Sequence, residues 1–329
     1  MNQARKTIQT SVIIPNYNGM AYIDNCIKSL LPLREDQEII VIDDGSSDNS
    51  KAYLKDLKEK GLIRFYENQE NKGFAYSVNR GITEAQGQFV LLLNNDVVVE
   101  KGFVANLTSA IQSKANAFSV SSKMVRFYER TLLDDIGDNY TILGWAYKRG
   151  DGKPLADGAR SSKIFSTCAG AGIYRKSVIE KIGGFDESFF AYLEDVDLSY
   201  RGKLYGYTNY YTPKAVCYHI GSATTADGKK YSPFKVSLSA RNNVYLAYKN
   251  MPTLQLILNA PFLLLGHMIK GVYFQIIGFG SDYRSGLWEG LTTMGCRSKT
   301  PTSFKKIPIY LKIQIELLVN MFKYIKEKW

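Results

Sequence analysis

Glu38-Ile39-Ile40-Val41-Ile42-Asp43-Asp44-Gly45-Ser46-Ser47-Asp48 decides the fold: an apolar run ends in two acids, a glycine and two serines, and a helical segment from about Ser50 to Glu59 follows. A short unbroken apolar run bounded by turn residues is the pattern of a strand buried on both faces. Its neighbours repeat the pattern. Ser11-Val12-Ile13-Ile14 precedes a helix from about Ala21 to Leu31, Ile63-Arg64-Phe65-Tyr66 precedes one from about Phe74 to Ala85, and Phe89-Val90-Leu91-Leu92-Leu93 comes next. Strands alternating with helices at this spacing predict βαβ units and a parallel α/β sheet. Three strand ends are polar, at Pro15-Asn16-Tyr17-Asn18-Gly19, Asp43 to Asp48 and Asn94-Asn95-Asp96. Open α/β sheets take ligands at the carboxyl ends of their strands, so the three loops should meet in one crevice.

The chain of 329 residues is 45% hydrophobic and 13% aromatic, enough for a well-buried core. A formal charge of +11 calls for an anionic partner. Lysines gathered near the C-terminus suit lipid head groups better than nucleic acid, which is not expected to bind. Cys26, Cys168, Cys217 and Cys296 lie far apart, without the spacing of a zinc site or a disulfide framework. With a polar start from Met1 to Thr10, this predicts a reducing, cytoplasmic setting and no secretory leader.

Between Val104 and Tyr174 the periodicity weakens, and residues such as Gly144-Trp145-Ala146-Tyr147 suggest irregular loops that shape a pocket. Thr167-Cys168-Ala169-Gly170-Ala171-Gly172 is rich in small residues, which serves close approach of a ligand or a tightly packed strand equally well. Composition changes near Met251-Pro252. Residues 1–250 are therefore read as one α/β domain and 251–329 as a helical, basic and apolar region. Asn259, Pro261, His267 and Lys270 interrupt its apolar run, which falls short of the roughly 18 residues of a spanning helix. Lys305 through Trp329 reads as a basic helix lying in a membrane interface, with helix pairing or a homodimer as the alternative.

Chemistry concentrates in Gly183-Gly184-Phe185-Asp186-Glu187 and in Glu194-Asp195-Val196-Asp197-Leu198-Ser199-Tyr200-Arg201. Carboxylates this close repel one another unless a cation or a proton holds them, which is how a general base is tuned. Asp43 and Asp44 could accept from a nucleobase N–H or a ribose hydroxyl, or simply form a turn capping the next helix. Asp96, after a run of leucines, offers a hard oxygen for Mn²⁺ or Mg²⁺ on a diphosphate, unless Asn94 to Asp96 is only an Asn-rich turn. His219, alone on an apolar strand, is either a ligand or a satisfied core residue.

Taken in order, Pro15-Asn16-Tyr17-Asn18, Asp43 to Asp48, Asn71-Lys72-Gly73, Asn94-Asn95-Asp96, Gly183 to Glu187 and Glu194-Asp195 closely resemble the family 2 inverting glycosyltransferases of the GT-A fold, from about residue 10 to about 250. The resemblance implies a Rossmann-like, mostly parallel sheet. It implies a nucleotide-sugar donor surrounded by Pro15, Tyr17, Asn18, Asp43 or Asp44, Lys72, Gly73 and Asn95. It implies a metal, Mn²⁺ or Mg²⁺, on Asp96 and His219, although the family's Asp-x-Asp motif begins here with Asn94. Asp195 becomes the implied general base with Glu194 beside it, and Arg241 a cation for the diphosphate.

The texture of Glu194 to Arg201 and of His219-Ile220-Gly221-Ser222 looks most like bacterial rhamnosyltransferases that build surface polysaccharides. It implies a hexosyltransferase on the inner face of the membrane using dTDP-rhamnose and a lipid-linked or oligosaccharide acceptor. A UDP-sugar (glucose, galactose or N-acetylglucosamine) is the alternative, as is a noncatalytic subunit of a glycan assembly complex. A dehydrogenase is disfavoured because the first strand leads into Pro15-Asn16-Tyr17-Asn18-Gly19 rather than GxGxxG. A nucleotidyltransferase would not need Glu194-Asp195.

Overall fold

The computed structural model describes residues 7–221 and 231–328. Strands β1 (Thr10–Asn16), β2 (Gln37–Asp43), β3 (Arg64–Glu67) and β4 (Phe89–Leu93) alternate with helices α1 (Met20–Leu30), α2 (Ser50–Glu59) and α3 (Phe74–Glu84). The four strands pair in parallel in the order β3-β2-β1-β4. Their apolar runs are continuous because both faces are covered. Val12, Ile14, Ile39, Val41, Leu91 and Leu93 pack with α1 and α2 on one side. Ile13, Ile40, Ile42, Val90 and Leu92 pack with α3 on the other, the alternation a strand imposes.

The stretch read as irregular is more regular than its sequence suggests. After β5 (Val97–Val99) come α4 (Phe103–Gln112), β6 (Ala117–Arg126), β7 (Leu133–Asp135), β8 (Asp138–Tyr140), β9 (Ala146–Lys148), β10 (Ser162–Ile164) and β11 (Ala171–Arg175). β6 is masked as a strand by Ser119, Ser121 and Ser122, all fully buried; Ser119 bonds Thr167 and Asn209, and Ser122 bonds the Ala171 carbonyl. The small-residue segment ends in β11, which inserts antiparallel between β4 and β6.

Helices α5 (Lys176–Ile182) and α6 (Glu194–Leu204) follow, then β12 (Thr208–His219), parallel to β6 and antiparallel to β5. The β5 pairing sets His219 opposite Val97, one residue past Asp96. Ser222, part of the rhamnosyltransferase-like texture, lies outside the described residues, as do Met1 to Lys6 and Trp329.

The rest is helical: α7 (Pro233–Asn250), α8 (Thr253–Ile276), α9 (Gly280–Thr293) and α10 (Ile307–Lys328). Here the sequence expectation needs correction, because the polar residues and Pro261 do not break the apolar run. α8 is continuous for 24 residues, and by length and composition alone it could cross a membrane. Its polar residues recur on one helical face, turned toward the protein. Gln255 and Asn259 bond Gln314 of α10, and His267 Nδ1 lies 2.8 Å from the Tyr283 hydroxyl of α9. On that face Gly266 lets α8 approach so closely that a Cβ would fall 2.1 Å from the Leu143 carbonyl oxygen. Leu263, Ile313 and Leu317 share one core with Tyr140, Phe165, Val196 and Tyr200, so the extension packs directly against α6.

Candidate active site

The three polar loops do meet, and Asn16 joins them. Asn16 faces Asp43 in the β1/β2 register. Its amide donates to Asp43 Oδ2 at 2.9 Å, and its Oδ1 accepts from Asn95 Nδ2 at 2.9 Å. Asn18, with φ 48°, receives the Ser47 N–H on its Oδ1 at 2.8 Å. Tyr17 stands at the rim with 39% of its surface exposed, and Pro15 is half-buried behind it.

The two aspartates after β2 work inward. Asp43 is fully buried and accepts from the Ser46 N–H at 2.9 Å and the Ser46 hydroxyl at 2.6 Å. It shapes its own turn, so the expectation of direct nucleotide contact at Asp43 is corrected to a positioning role. Asp44 accepts from the backbone N–H groups of Lys72 (3.0 Å) and Gly73 (2.8 Å) and from Asn68 Nδ2 (2.7 Å), holding the next loop against the crevice. Gly73, at φ 90°, admits the Phe190 ring, which a Cβ would meet at 2.6 Å. The Lys72 ammonium lies 5.0 Å from the Tyr76 ring centre, on the exposed side of this loop.

Asp96 and His219 are brought together. His219 Nε2 lies 3.5 Å from Asp96 Oδ1, and its Nδ1 lies 2.7 Å from Asp134 Oδ2. Two cis ligands of one octahedral ion with bonds of about 2.1 Å sit about 3 Å apart, so the pair has the right span for a divalent cation. Asp134, on β7, supplies the carboxylate that commonly orients a metal-binding imidazole. Burial opposes a charge on His219, but the hydrogen bonds it donates to Asp134 and Asp96 outweigh it and raise the imidazole to about 9. Asp134 is buried too; Lys148, with Nζ 3.0 Å away, and His219 nevertheless hold it well below the carboxylate range.

The crowded carboxylates are sorted by their partners. Asp197 is fully buried between Arg201 (2.9 Å), Lys249 (3.1 Å) and Asn250 (2.7 Å), and Asp186 is paired with Lys249. Glu194 and Asp195 have no such cation among the described residues. Burial, then the charge of Asp195, pushes Glu194 well up, and burial raises Asp195. Asp195 is half-buried at the start of α6, with Oδ2 accepting from the Ala169 N–H at 3.1 Å. One residue on, the Gly170 carbonyl accepts from the Asn94 N–H at 2.9 Å. Consecutive residues of one strap thus tie the Glu194-Asp195 acids to the turn carrying Asp96.

Arg241 does not face this crevice as a free cation. Its guanidinium donates to the carbonyls of Ser188 and Phe189, both at 3.1 Å, and to Glu289 at 3.0 Å. The expected diphosphate contact is therefore corrected: Arg241 is spent on a loop. Asn242 beside it donates to the carbonyls of Phe189, Ala191 and Tyr192 at 2.8–2.9 Å. That loop holds Phe190, Tyr192 and Leu193 at φ 62°, 69° and 68°, left-handed values that cost non-glycine residues about 1–3 kcal/mol each.

Sequence reading passed over Asp134, Asp135, Asp138 and Lys148. The acids of Leu133-Asp134-Asp135-Ile136-Gly137-Asp138 were a visible signal, lost because the segment was treated as an irregular loop.

A model of the family "Glycosyl transferase family 2" matches residues 11–183. Poly-beta-1,6-N-acetyl-D-glucosamine synthase of Staphylococcus aureus (strain COL) is 28% identical over 207 residues, 62% of this chain and 48% of that protein. The chain spans about half the length of the curated relatives it matches. GalNAc-T7, crystallised with UDP, GalNAc and Mn²⁺, superposes with a TM-score of 0.59 at 17% identity, over 73% of this chain and 47% of that one. Mannosyltransferase PcManGT from Pyrobaculum calidifontis, in complex with GDP-Man and Mn²⁺, gives 0.54 at 16% identity, over 98% and 88%. At such identities these likenesses carry the fold, which is GT-A. With the model matching over half its length, the chain belongs to glycosyl transferase family 2.

Proposed function

We propose that this chain is an inverting glycosyltransferase that moves a sugar from a nucleotide diphosphate to a hydroxyl of a lipid-linked or growing surface polysaccharide. The observation that carries this reading is the strap at Ala169 and Gly170, which fixes an unpaired, half-buried acid on one side and the Asp96–His219 turn on the other.

Asp195 takes the proton of the acceptor hydroxyl as that oxygen bonds to the anomeric carbon. The bond from this carbon to the diphosphate oxygen breaks, and the nucleoside diphosphate leaves with the electron pair. With one base and no covalent nucleophile the configuration inverts. A divalent cation on Asp96 and His219 would neutralise charge gathering on the diphosphate. An imidazole nitrogen in the donor set favours Mn²⁺ over Mg²⁺, which prefers oxygen ligands. Both superposed transferases were crystallised with Mn²⁺. In this reading Pro15, Tyr17, Asn18, Asp44, Lys72, Gly73 and Asn95 surround the nucleotide.

For the donor, the relative's name shifts preference from dTDP-rhamnose to UDP-N-acetylglucosamine. dTDP-rhamnose stays as the second reading, favoured by the texture of Glu194 to Arg201. The outward face of α8, with Leu254, Ile257, Leu258, Leu264 and Met268 each at least 64% exposed, supports peripheral attachment to the cytoplasmic face of a bacterial membrane.

Thermal unfolding with UDP, dTDP, GDP and CDP, each with and without Mn²⁺, tests the reading, since a ligand of the native state raises the melting temperature. A metal-dependent rise with UDP is expected. A rise confined to dTDP would select the rhamnose donor, and no rise with any of the four would point to a noncatalytic subunit.

A further inference from the structure

Of Asn259, His267 and Lys270, the polar residues inside the apolar run of α8, two are paired: Asn259 with Gln314 and His267 with Tyr283. Lys270 has no hydrogen-bond or ion-pair partner among the described residues. Its ammonium lies 6.0 Å from the centre of the Trp145 ring, whose Nε1–H donates at 3.1 Å to the Gly266 carbonyl one turn earlier in the helix. Burial pulls this ammonium down to about 8, so it still carries its charge at neutral pH. A half-buried charge without a counter-ion is costly, and an anion drawn to it offsets the cost.

The surroundings say what carries that anion. Trp145, at the tip of the β8–β9 hairpin, packs edge-on against Tyr324 of α10 with 5.4 Å between ring centres, and Tyr147 of β9 meets the same ring at 5.1 Å. The Tyr324 hydroxyl, like Lys270, has no hydrogen-bond partner among the described residues. Both side chains keep part of their surface open, so a ligand can reach them. A cation and a phenol donor thus border one indole where α8, α10 and the hairpin meet. Met268, Ile269 and Val272 flank Lys270 and are exposed, which sets the ammonium at the edge of the outward apolar face. An apolar chain ending in a phosphate matches this edge. Bulk head groups already have Lys312, Lys323 and Lys326, all exposed on α10. The hairpin leads instead to the catalytic side: Lys148, three residues after Trp145, lies 3.0 Å from Asp134, the carboxylate bonded to His219. We propose that Lys270, Trp145 and Tyr324 form the phosphate site for a lipid-linked acceptor, the ammonium and the phenol donating to phosphate oxygens and the indole walling the start of the lipid chain. This rests on the glycosyl-transfer reading above.

The test is calorimetric titration of the full chain, in metal-free buffer, with decyl phosphate below its critical micelle concentration, for wild type, Lys270→Gln and Lys270→Arg. Lys270→Gln should bind at least tenfold more weakly, and Lys270→Arg within threefold of wild type. Undetectable binding by wild type, or no change in Lys270→Gln, overturns the site. So does inorganic phosphate binding as tightly as decyl phosphate, which would assign the site to a free anion. Sedimentation with phosphatidylglycerol vesicles separates acceptor from bulk lipid. There Lys270→Gln should stay within twofold of wild type, and a tenfold loss overturns the acceptor assignment in favour of ordinary head groups. Should Lys270→Gln misfold, Tyr324→Phe, which removes a single hydroxyl, must weaken decyl phosphate binding at least threefold, and no loss refutes the proposal. Failure of wild type to bind any nucleotide in Mn²⁺, with decyl phosphate still bound, would instead remove the glycosyl-transfer reading itself.

Discussion

At the residue scale, chemistry is decided by which acids keep a cation. Asp197 and Asp186 have theirs in Arg201 and Lys249, so their charge is structural. Asp195 keeps only N–H donors and burial, the state of a base able to take a proton. Asp195→Asn preserves shape and both hydrogen-bonding oxygen positions in part, yet cannot accept the acceptor's proton. Its turnover should fall by about 10²–10⁴ with UDP affinity nearly unchanged; near-normal transfer in a radiolabelled-sugar assay would rule out this base. His219 carries the second residue-scale prediction. Its imidazole is raised from 6.5 to about 9 in the metal-free fold, so the stabilisation is complete below about pH 6.5 and is lost as pH rises through about 9. Chelator-treated protein should therefore melt at progressively lower temperature from pH 6.5 to 9. His219→Gln should show a flatter profile over that range. Identical slopes for the two proteins would mean that the Asp96 and Asp134 contacts do not hold the proton.

At the element scale, α7 works as a clamp on the strained turn ahead of α6. Three left-handed non-glycine residues persist at Phe190, Tyr192 and Leu193 because Asn242 satisfies three of the turn's carbonyls and Arg241 grips the segment just before it. Asn242→Ala strips those carbonyls of their donor. We expect a loss of about 3 kcal/mol in stability, read by urea unfolding, and a fall in turnover that outstrips any loss of nucleotide affinity. This clamp also shows where sequence reading stops. Buried strands such as Glu38 to Ile42 announce themselves by unbroken aliphatic runs, and the loops after them by Asp, Asn and Gly, so the parallel half of the sheet was legible; His219 was joined to Asp96 only through the family resemblance, and the fold sets the two 3.5 Å apart. β6 was hidden because its inward residues are serines bonded to partners far along the chain. Arg241 looked like an anion contact because its type fits one. What consumes its guanidinium, the carbonyls of Ser188 and Phe189 and the side chain of Glu289, is set by tertiary packing that spacing does not reveal.

At the scale of the whole molecule, the helices after Asn250 invert the usual pattern of a surface helix. α8 places Gln255 and Asn259 against Gln314 and presents Leu254, Ile257, Leu258, Leu264 and Met268 outward. α10 buries Ile313 and Leu317 beside α8 and exposes Leu311, Ile315, Val319 and Phe322. Lys305, Lys312, Lys323 and Lys326 are exposed along the same segment. An apolar surface of this kind must be covered, and lysines around it select an anionic cover, each contributing about 1 kcal/mol near acidic head groups. The extension shares its core with α6, so whatever it binds is held in fixed register with Asp195, as the proposed lipid-linked acceptor would require. The full chain should sediment with vesicles containing phosphatidylglycerol, bind more weakly to pure phosphatidylcholine, and be released partly but not wholly by high salt. Leu258→Asp with Ile315→Asp, both at exposed positions that cost the fold little, should weaken vesicle binding at least tenfold with the melting temperature preserved. If instead the wild type ignores vesicles and the double variant converts a dimer to a monomer in sedimentation equilibrium, the apolar face belongs to a second copy of this chain and the acceptor must reach Asp195 from solution.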